Sequence, residues 1–285
     1  MAFDSLQEII DTGAKKAKPF WRVVMEEDVQ ERGVTEESSL AMMENMWNAM
    51  FSAVRDYEGN LHSRSGLVGG MGQTMDEYLE KGDTYCGDFV SKVIVTALKT
   101  GESNACMKRI VAAPTAGACG VLPAVIVPYF EEGKADKDKI IEALYVAAGI
   151  GQVIAARAYI AGATGGCQAE IGSASAMAAG ALVHLKGGNA EQIAQAAAMA
   201  LKNLLGLVCD PVAGLVEVPC VKRNVVGAVN SLSCADMSLA GIFSKIPPDE
   251  VIDAMKEVGD RMHDSLKETA EGGIANTKFA RSLVL

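Results

Sequence analysis

The stretch KDKIIEALYVAAGIGQVIAARAYI, residues 137–160, predicts a long buried helix. Its apolar residues recur at the three- and four-residue spacing of one helix face, and Arg157 is the only charged residue after Glu142. A helix with so little charge on any face belongs in the middle of a packed structure.

Four other segments show the same helical periodicity. They cover residues 35–57, 85–100, 189–205 and 247–270. Thr35 and Asn189 begin two of these segments with residue types that cap helix N-termini, and a pair of prolines begins the last one. Glycine-rich breaks separate the segments, and no internal repeat or long polar linker interrupts them. The sequence therefore predicts an all-α fold in which residues 1–285 form a single helical domain.

Composition and charge narrow the class of ligand. The 285 residues are 49% hydrophobic but only 5% aromatic, so the chain can bury a large core built mainly from aliphatic side chains. A formal charge of −10 argues against nucleic acid and against an anionic membrane surface, because both require clustered Lys and Arg. A small molecule or another protein remains as the expected partner.

Two apolar or amphipathic regions bear on the cellular location. The N-terminal residues 1–21 carry charges of both signs and lack the apolar core of a signal peptide, which predicts a cytoplasmic protein. The uncharged window of residues 110–130 is long enough to cross a bilayer, but three prolines and two glycines interrupt it. We interpret this window as a buried loop leading into a helix.

Four loops between the predicted helices are unusually rich in glycine together with Ser, Thr or Cys. They are HSRSGLVGGMG (62–72), APTAGACG (113–120), GATGGCQAEIGSASA (162–176) and GLVCDPVAGLVEVPC (206–220). Glycine lets the backbone approach a ligand closely, at an entropic cost that makes several such loops in one helical domain unexpected without a reason. We expect the four loops to meet at one centre.

Three of the seven cysteines lie in these loops. Cys167, Cys209 and Cys220 are separated by 42 and 11 positions, unlike the short Cys-x-x-Cys steps of zinc ribbons and ferredoxin-type clusters. On spacing alone, buried structural thiols remain the simpler interpretation, because free Cys packs as a small hydrophobe. Three thiolates would also suit a [4Fe-4S] cluster in which one iron keeps an open position.

The segment HSRSG combines a histidine, a guanidinium and two hydroxyls. Arg64, Ser63 and Ser65 have the groups that bind a carboxylate, although an ordinary exposed turn would have the same composition. His62 is the candidate for proton transfer by residue type, because its unperturbed pKa lies near neutral pH.

Taken together, the four loops resemble those of the iron-sulfur-dependent L-serine dehydratase family, in particular its α subunit or catalytic domain. The resemblance covers nearly the whole chain, with the loops in the family's order. It implies an all-helical catalytic domain and a [4Fe-4S] cluster held by Cys167, Cys209 and Cys220. It also implies that L-serine is converted to pyruvate and ammonia, with the unique iron acting as a Lewis acid on the serine hydroxyl.

Residue type and loop position make further residues candidates for binding or activating the substrate. The expected catalytic residues are His62, Ser63, Arg64 and Ser65. The expected substrate-binding residues are Thr115, Gly117, Thr164, Gly165 and Asn224. Asp210 and Glu170, each within three positions of a cysteine, are candidates for acceptors behind the cluster ligands or for bases. Ordinary carboxylates at a helix end or in a loop would have the same positions.

The same resemblance predicts a partner. Single-chain members carry an α/β regulatory domain before the catalytic part, whereas this sequence opens on the catalytic part, so we expect a separate β subunit, a homo-oligomer or both. Some single-chain members end in a cysteine that caps the fourth iron. This sequence ends in FARSLVL, so we do not expect that capping here.

Three alternative functions remain at this point. A cysteine desulfidase would use the same iron to accept sulfide in place of hydroxide. A pyridoxal-phosphate eliminase would need a Schiff-base lysine, for which Lys222 is the best-placed residue. A non-catalytic iron-sulfur or redox-sensing subunit would need only the three cysteines.

Overall fold

The computed structural model describes residues 3–283, which form thirteen α-helices and no β-strand. The all-α prediction is therefore confirmed. In chain order the helices are α1 Leu6–Lys16, α2 Phe20–Arg32, α3 Glu36–Arg55, α4 Met71–Leu79, α5 Gly87–Ala105, α6 Val121–Glu131, α7 Lys137–Arg157, α8 Gly162–Gly165, α9 Ser173–Leu185, α10 Ala190–Lys202, α11 Cys220–Leu239, α12 Pro248–Arg261 and α13 Lys278–Ser282.

The N-termini of several helices are fixed by the caps that the sequence predicts. The Thr35 hydroxyl accepts a hydrogen bond from the Ser38 amide at 3.2 Å and begins α3. Asn189 and Gln192 form a reciprocal capping box at the start of α10. Each cap satisfies backbone N–H groups that have no partner within their helix, so these boundaries are determined locally.

Helix α7 lies in the core and packs against α2, α3 and α9. Gly149 lets α2 approach, because a Cβ there would lie 2.5 Å from Val24 Cγ2. Gly180 on α9 likewise lets α7 approach, because a Cβ on Gly180 would lie 2.2 Å from Ile150 Cδ1. The small residues of α7 and α9 are thus needed for close helix packing, which buries one continuous apolar cluster from Phe3 to Met255.

The membrane-length window and the apolar helix both belong to this core. Residues 110–120 are irregular and lead into α6, whose residues Val121 to Tyr129 are buried, as the sequence predicts. Within residues 3–283, α7 alone is long and apolar enough to cross a bilayer, and 67% of its most apolar window is buried inside the protein.

Two segments differ from their predicted structure. The region 162–176, predicted as a loop, is mostly helical: it contains α8, a π-helix at Gln168–Gly172 and the start of α9. Its glycines serve close packing within and between helices, which the local composition does not distinguish from a loop. The helix predicted over 247–270 ends at Arg261, because the chain beyond it turns to pair with the loop around Cys209.

Candidate functional site

Three cysteine side chains from three separate segments lie buried close together. Cys167 precedes the π-helix, Cys209 lies in the loop after α10, and Cys220 is the first residue of α11. Their exposed fractions are 2%, 2% and 7%. All seven cysteines are free thiols. The structure therefore gathers the three cysteines that the sequence analysis singled out.

Electrostatics couples the three thiols. A hydrogen bond from Cys209 lowers the pKa of Cys167, against the opposing effect of burial, and raises the pKa of Cys209 itself. Burial raises the pKa of Cys220 to about 12, and the negative charge of Cys167 adds to that rise. The pocket therefore favours one thiolate and disfavours a second, so deprotonating all three requires a positive charge among them.

Arg223 supplies a cation beside these thiols, because it forms a side-chain hydrogen bond with Cys167. Burial alone would lower the pKa of Arg223. The Cys167 thiolate and Asp210 together raise this pKa by more, so the net shift is upward. Its guanidinium donates to Asp210 Oδ1 and to the Val208 carbonyl oxygen, both at 2.7 Å. Arg223 thus connects α11 to the chain on either side of Cys209.

The segment that follows α12 holds Cys209 in place. The Cys209 amide donates to the Leu266 carbonyl at 2.8 Å, and the Glu268 amide donates to the Cys209 carbonyl at 2.7 Å. The other Asp210 oxygen accepts from the Ile274 amide at 2.7 Å. Residues 264–276 therefore form one wall of the site.

Glu170 lies beside the cysteines in space that two glycines leave open. Thr115 donates to Glu170 Oε1 at 2.8 Å. A Cβ on Gly162 would lie 2.6 Å from Cys209 Sγ and 2.9 Å from Glu170 Oε2, and a Cβ on Gly117 would lie 3.3 Å from both carboxylate oxygens. Burial raises the pKa of Glu170, while the Thr115 hydrogen bond opposes that rise. The arrangement gives a shielded carboxylate with a proton affinity above the ordinary value.

The HSRSG loop reaches the third cysteine segment through Glu217. Ser63 donates to Glu217 Oε2 at 2.9 Å, and Ser65 donates to the same oxygen. Ser63 and Glu217 are buried, whereas His62 and Arg64 are exposed. The His62 ring packs against Gly69, and its Nδ1 lies 3.3 Å from the Asn60 carbonyl oxygen.

Asn224 ties the 113–120 loop to the start of α11. Its amide nitrogen donates to the carbonyl oxygens of Gly117 and Cys220, at 2.9 and 3.0 Å. Its oxygen accepts from the Gly120 amide at 2.8 Å. Since the side chain is buried and both polar atoms have protein partners, Asn224 holds two walls of the site together.

Thr164 and Gly165 lie on α8, just before Cys167. The Thr164 hydroxyl is exposed and donates to the Ala161 carbonyl at 3.0 Å. Gly165 is buried against α12. A Cβ on Gly259 of α12 would lie 3.1 Å from the Cα of Gly165. Their predicted contact with substrate stays a prediction.

The chemistry of the donors indicates the kind of metal centre that would fit. Within residues 3–283, no group of three or more His, Cys, Asp or Glu side chains is arranged to hold a single metal ion. The donor set, three buried thiols with a guanidinium close by, would instead fit an iron-sulfur cluster, whose usual ligands are Cys thiolates. Cys167, Cys209 and Cys220 would hold it.

Comparison with known families identifies the chain. A family model described as "Serine dehydratase alpha chain" matches residues 15–275. The chain belongs to the serine dehydratase alpha chain family. A probable L-serine dehydratase alpha chain of Bacillus subtilis is 43% identical over 281 residues, covering 99% of this chain and 94% of that protein. The L-serine dehydratase alpha chain of Peptoniphilus asaccharolyticus is 41% identical over 281 residues, covering 98% and 96%.

A third relative is longer than this chain. An L-serine dehydratase of Escherichia coli is 42% identical over 181 residues, which cover 63% of this chain but 40% of that protein. The family resemblance read from the four loops is thus confirmed.

Two parts of the site, Glu217 and the 264–276 segment, are not among the residues predicted from the sequence. A detectable signal for Glu217 is its carboxylate between two valines in a mostly apolar loop, since a charge in such a place needs a partner. The 264–276 segment gives no such signal, because it contacts Cys209 through backbone atoms.

Proposed function

We propose that this chain catalyses the dehydration and deamination of L-serine to pyruvate and ammonia, using a [4Fe-4S] cluster held by Cys167, Cys209 and Cys220. The observation that carries the proposal is the convergence of three buried thiols from three segments beside a shielded carboxylate and a partly buried guanidinium. The names of its relatives, which are L-serine dehydratases, support the substrate.

Two features of L-serine make its dehydration slow without a catalyst. The Cα proton of serine is weakly acidic, and hydroxide is a poor leaving group. When bound, the cluster supplies a Lewis-acidic iron with an open position, which makes the serine hydroxyl easier to expel. Loss of the Cα proton and of the hydroxyl as water leaves aminoacrylate, which tautomerises to an imine and hydrolyses to pyruvate and ammonia.

The protein supplies a base and orients the substrate. Glu170 is the better-shielded base, held by Thr115 and facing the space between Gly117 and Gly162. His62 is the alternative base, on the exposed HSRSG loop. Arg64, exposed and without an ion pair to any described residue, offers a guanidinium for the serine carboxylate.

Asp210 and Asn224 have supporting roles in this proposal. Asp210 fixes Arg223, and Asn224 fixes the 113–120 loop relative to Cys220. Both act through other residues, so their loss should misplace the site without removing a reacting group.

We also propose that the working enzyme contains a second kind of subunit. The relatives that match this chain along almost their whole length are named alpha chains, a name given to one component of a multi-subunit enzyme. Copurification of the untagged genomic neighbours with a tagged chain, followed by mass spectrometry, would identify that β subunit. Recovery of an active enzyme containing this chain alone would contradict it.

Anaerobic purification with iron and sulfide analysis tests the main proposal, together with pyruvate formation from L-serine before and after exposure to air. We expect about four iron and four sulfide per chain and an activity that air destroys. A colourless, oxygen-stable, active enzyme would contradict the cluster. An aldimine absorbance band without iron would instead indicate pyridoxal phosphate, and a clear preference for L-cysteine would indicate a desulfidase. No lyase activity on any β-hydroxy amino acid would indicate a sensing subunit.

A further inference from the structure

Glu217 determines the hydrogen-bonding character of the HSRSG loop. Ser63 and Ser65 both donate to Glu217 Oε2, and their two oxygens lie 3.1 Å apart. A serine hydroxyl has one proton to donate. Whether each hydroxyl donates to Glu217 directly or through the other, both protons are used within the trio, and neither is left for a ligand carboxylate.

The lone pairs of these hydroxyls are only partly used. The Val68 amide donates to Ser63 Oγ at 3.2 Å, and the Leu67 amide donates to Ser65 Oγ at 3.0 Å. A hydroxyl oxygen can accept two hydrogen bonds, so both hydroxyls retain an acceptor site when each donates to Glu217 directly, and one of them does when it donates through the other. Ser65 is only partly buried, so a ligand can approach it from solvent.

The negative charge of Glu217, which lies behind the two serines, also favours a ligand that donates hydrogen bonds. Glu217 is 7% exposed and forms no ion pair with any cation in residues 3–283. Burying a carboxylate without a cation is costly, and a bound cation would offset that cost. Negative charge and free acceptors together favour a ligand ammonium group.

We propose that Glu217 is a positioning residue that commits Ser63 and Ser65 to accept hydrogen bonds, so that this loop recognises the ammonium group of an amino-acid substrate. This inference rests on the proposed function and deepens it by assigning opposite ends of the substrate to neighbouring residues. Ser63 and Ser65 take the amine, which leaves the carboxylate to Arg64. Ser63, Ser65 and Arg64 therefore form one subsite that binds the ammonium group at one end and the carboxylate at the other.

Two ligands that differ only in the amine separate this role from general support. The probes are L-serine and 3-hydroxypropionate, which is L-serine without its amine, each titrated calorimetrically into the whole protein purified anaerobically. We expect the wild-type protein to prefer L-serine. In Glu217→Gln the ratio of the two affinities should fall about tenfold or more, because a hydrogen-bonded charge is lost behind the amine.

Two further variants control the result. Arg64→Gln should weaken both ligands alike and leave the ratio unchanged, because both carry a carboxylate. Glu250→Gln, at an exposed carboxylate in the first turn of α12, should change neither affinity. If Glu217→Gln does not fold, Ser65→Ala removes one acceptor and should lower the same ratio.

The inference is overturned if the wild-type protein binds L-serine no better than 3-hydroxypropionate. It is equally overturned if Glu217→Gln weakens both ligands by the same factor, which a purely structural role would produce. Failure of the proposed reaction gives a different result, namely amine-dependent binding of L-serine without pyruvate formation.

Discussion

The guanidinium of Arg223 donates to the carboxylate of Asp210 at 2.7 Å next to Cys209, and the two side chains are 13% and 3% exposed. Asp210 also accepts from the Ile274 amide, so one carboxylate joins α11, the cysteine loop and the segment after α12. Breaking a buried ion pair from one side leaves an uncompensated charge, which costs far more than losing an exposed pair.

Replacing Asp210 with Ala should therefore destabilise the protein strongly. We expect the free energy of unfolding, measured in urea under reducing conditions, to fall by about 3–5 kcal/mol. The matched control is Glu257→Ala, which removes the exposed partner of Arg261 and should cost less than about 1 kcal/mol. Equal losses for the two variants would show that the Asp210 pair does not stabilise the site.

Gly162→Ala tests the space shared by Cys209 and Glu170. Its Cβ would lie 2.6 Å from Cys209 Sγ, so the thiol or the carboxylate has to move. We expect the bound iron per chain, measured after anaerobic purification, to drop while the far-ultraviolet circular dichroism stays helical. Gly172→Ala is the control, because there the nearest atom is the end of a leucine side chain at 3.2 Å. Full iron content in Gly162→Ala would refute this role.

Asn224→Asp tests whether the amide nitrogen links the 113–120 loop to α11. The carboxylate can still accept from the Gly120 amide but cannot donate to the carbonyls of Gly117 and Cys220, and it buries a charge. We expect stability to fall by about 2–3 kcal/mol and kcat to fall with it. Asn203→Asp, at an exposed amide, serves as the control. An Asn224→Asp variant as stable and active as the wild type would exclude the linking role.

The pH dependence of stability should contain a contribution from His184. Burial lowers the pKa of His184 in the folded protein, although Glu142, 2.9 Å from its Nε2, opposes that effect. The unfolded chain therefore binds the proton first as the pH falls. Stability contributed by this residue is present above about pH 6.5 and is lost as the pH drops through the folded pKa.

Urea unfolding at about pH 7.5 and about pH 5 measures that contribution. His184→Gln should lose less stability between the two pH values than the wild type does. His263→Gln, at an exposed histidine, should behave like the wild type. An unchanged pH dependence in His184→Gln would show that other groups account for the whole effect.

The sequence predicts the helices well where local chemistry decides them. Thr35 and Asn189 cap their helices as expected, and α7 begins at Lys137, the first residue of the stretch that predicts it. It predicts the wrong structure where glycine serves packing, as in 162–176, and where a distant segment overrides periodicity, as beyond Arg261.

In the site, too, the sequence predicts what residue type and local context decide and not the contacts between distant segments. Cys167, Cys209 and Cys220 could be singled out by their loops and their order along the chain. The partner of Ser63 could not, because Glu217 lies 154 positions away and sequence spacing carries no information about that contact. Hydrogen bonds made by the backbone, such as those of Cys209 to Leu266 and Glu268, leave no trace in residue type.

The backbone hydrogen bonds of Cys209 with residues 266 and 268 also determine when the site can form during protein synthesis. The ribosome makes these residues after all three cysteines, so Cys209 cannot take its final position until residues 264–276 have emerged. Domains fold from the N-terminus as they emerge, but this pocket has to wait for one of its last segments. We therefore expect the proposed cluster to enter the site only after residues 264–276 have emerged from the ribosome.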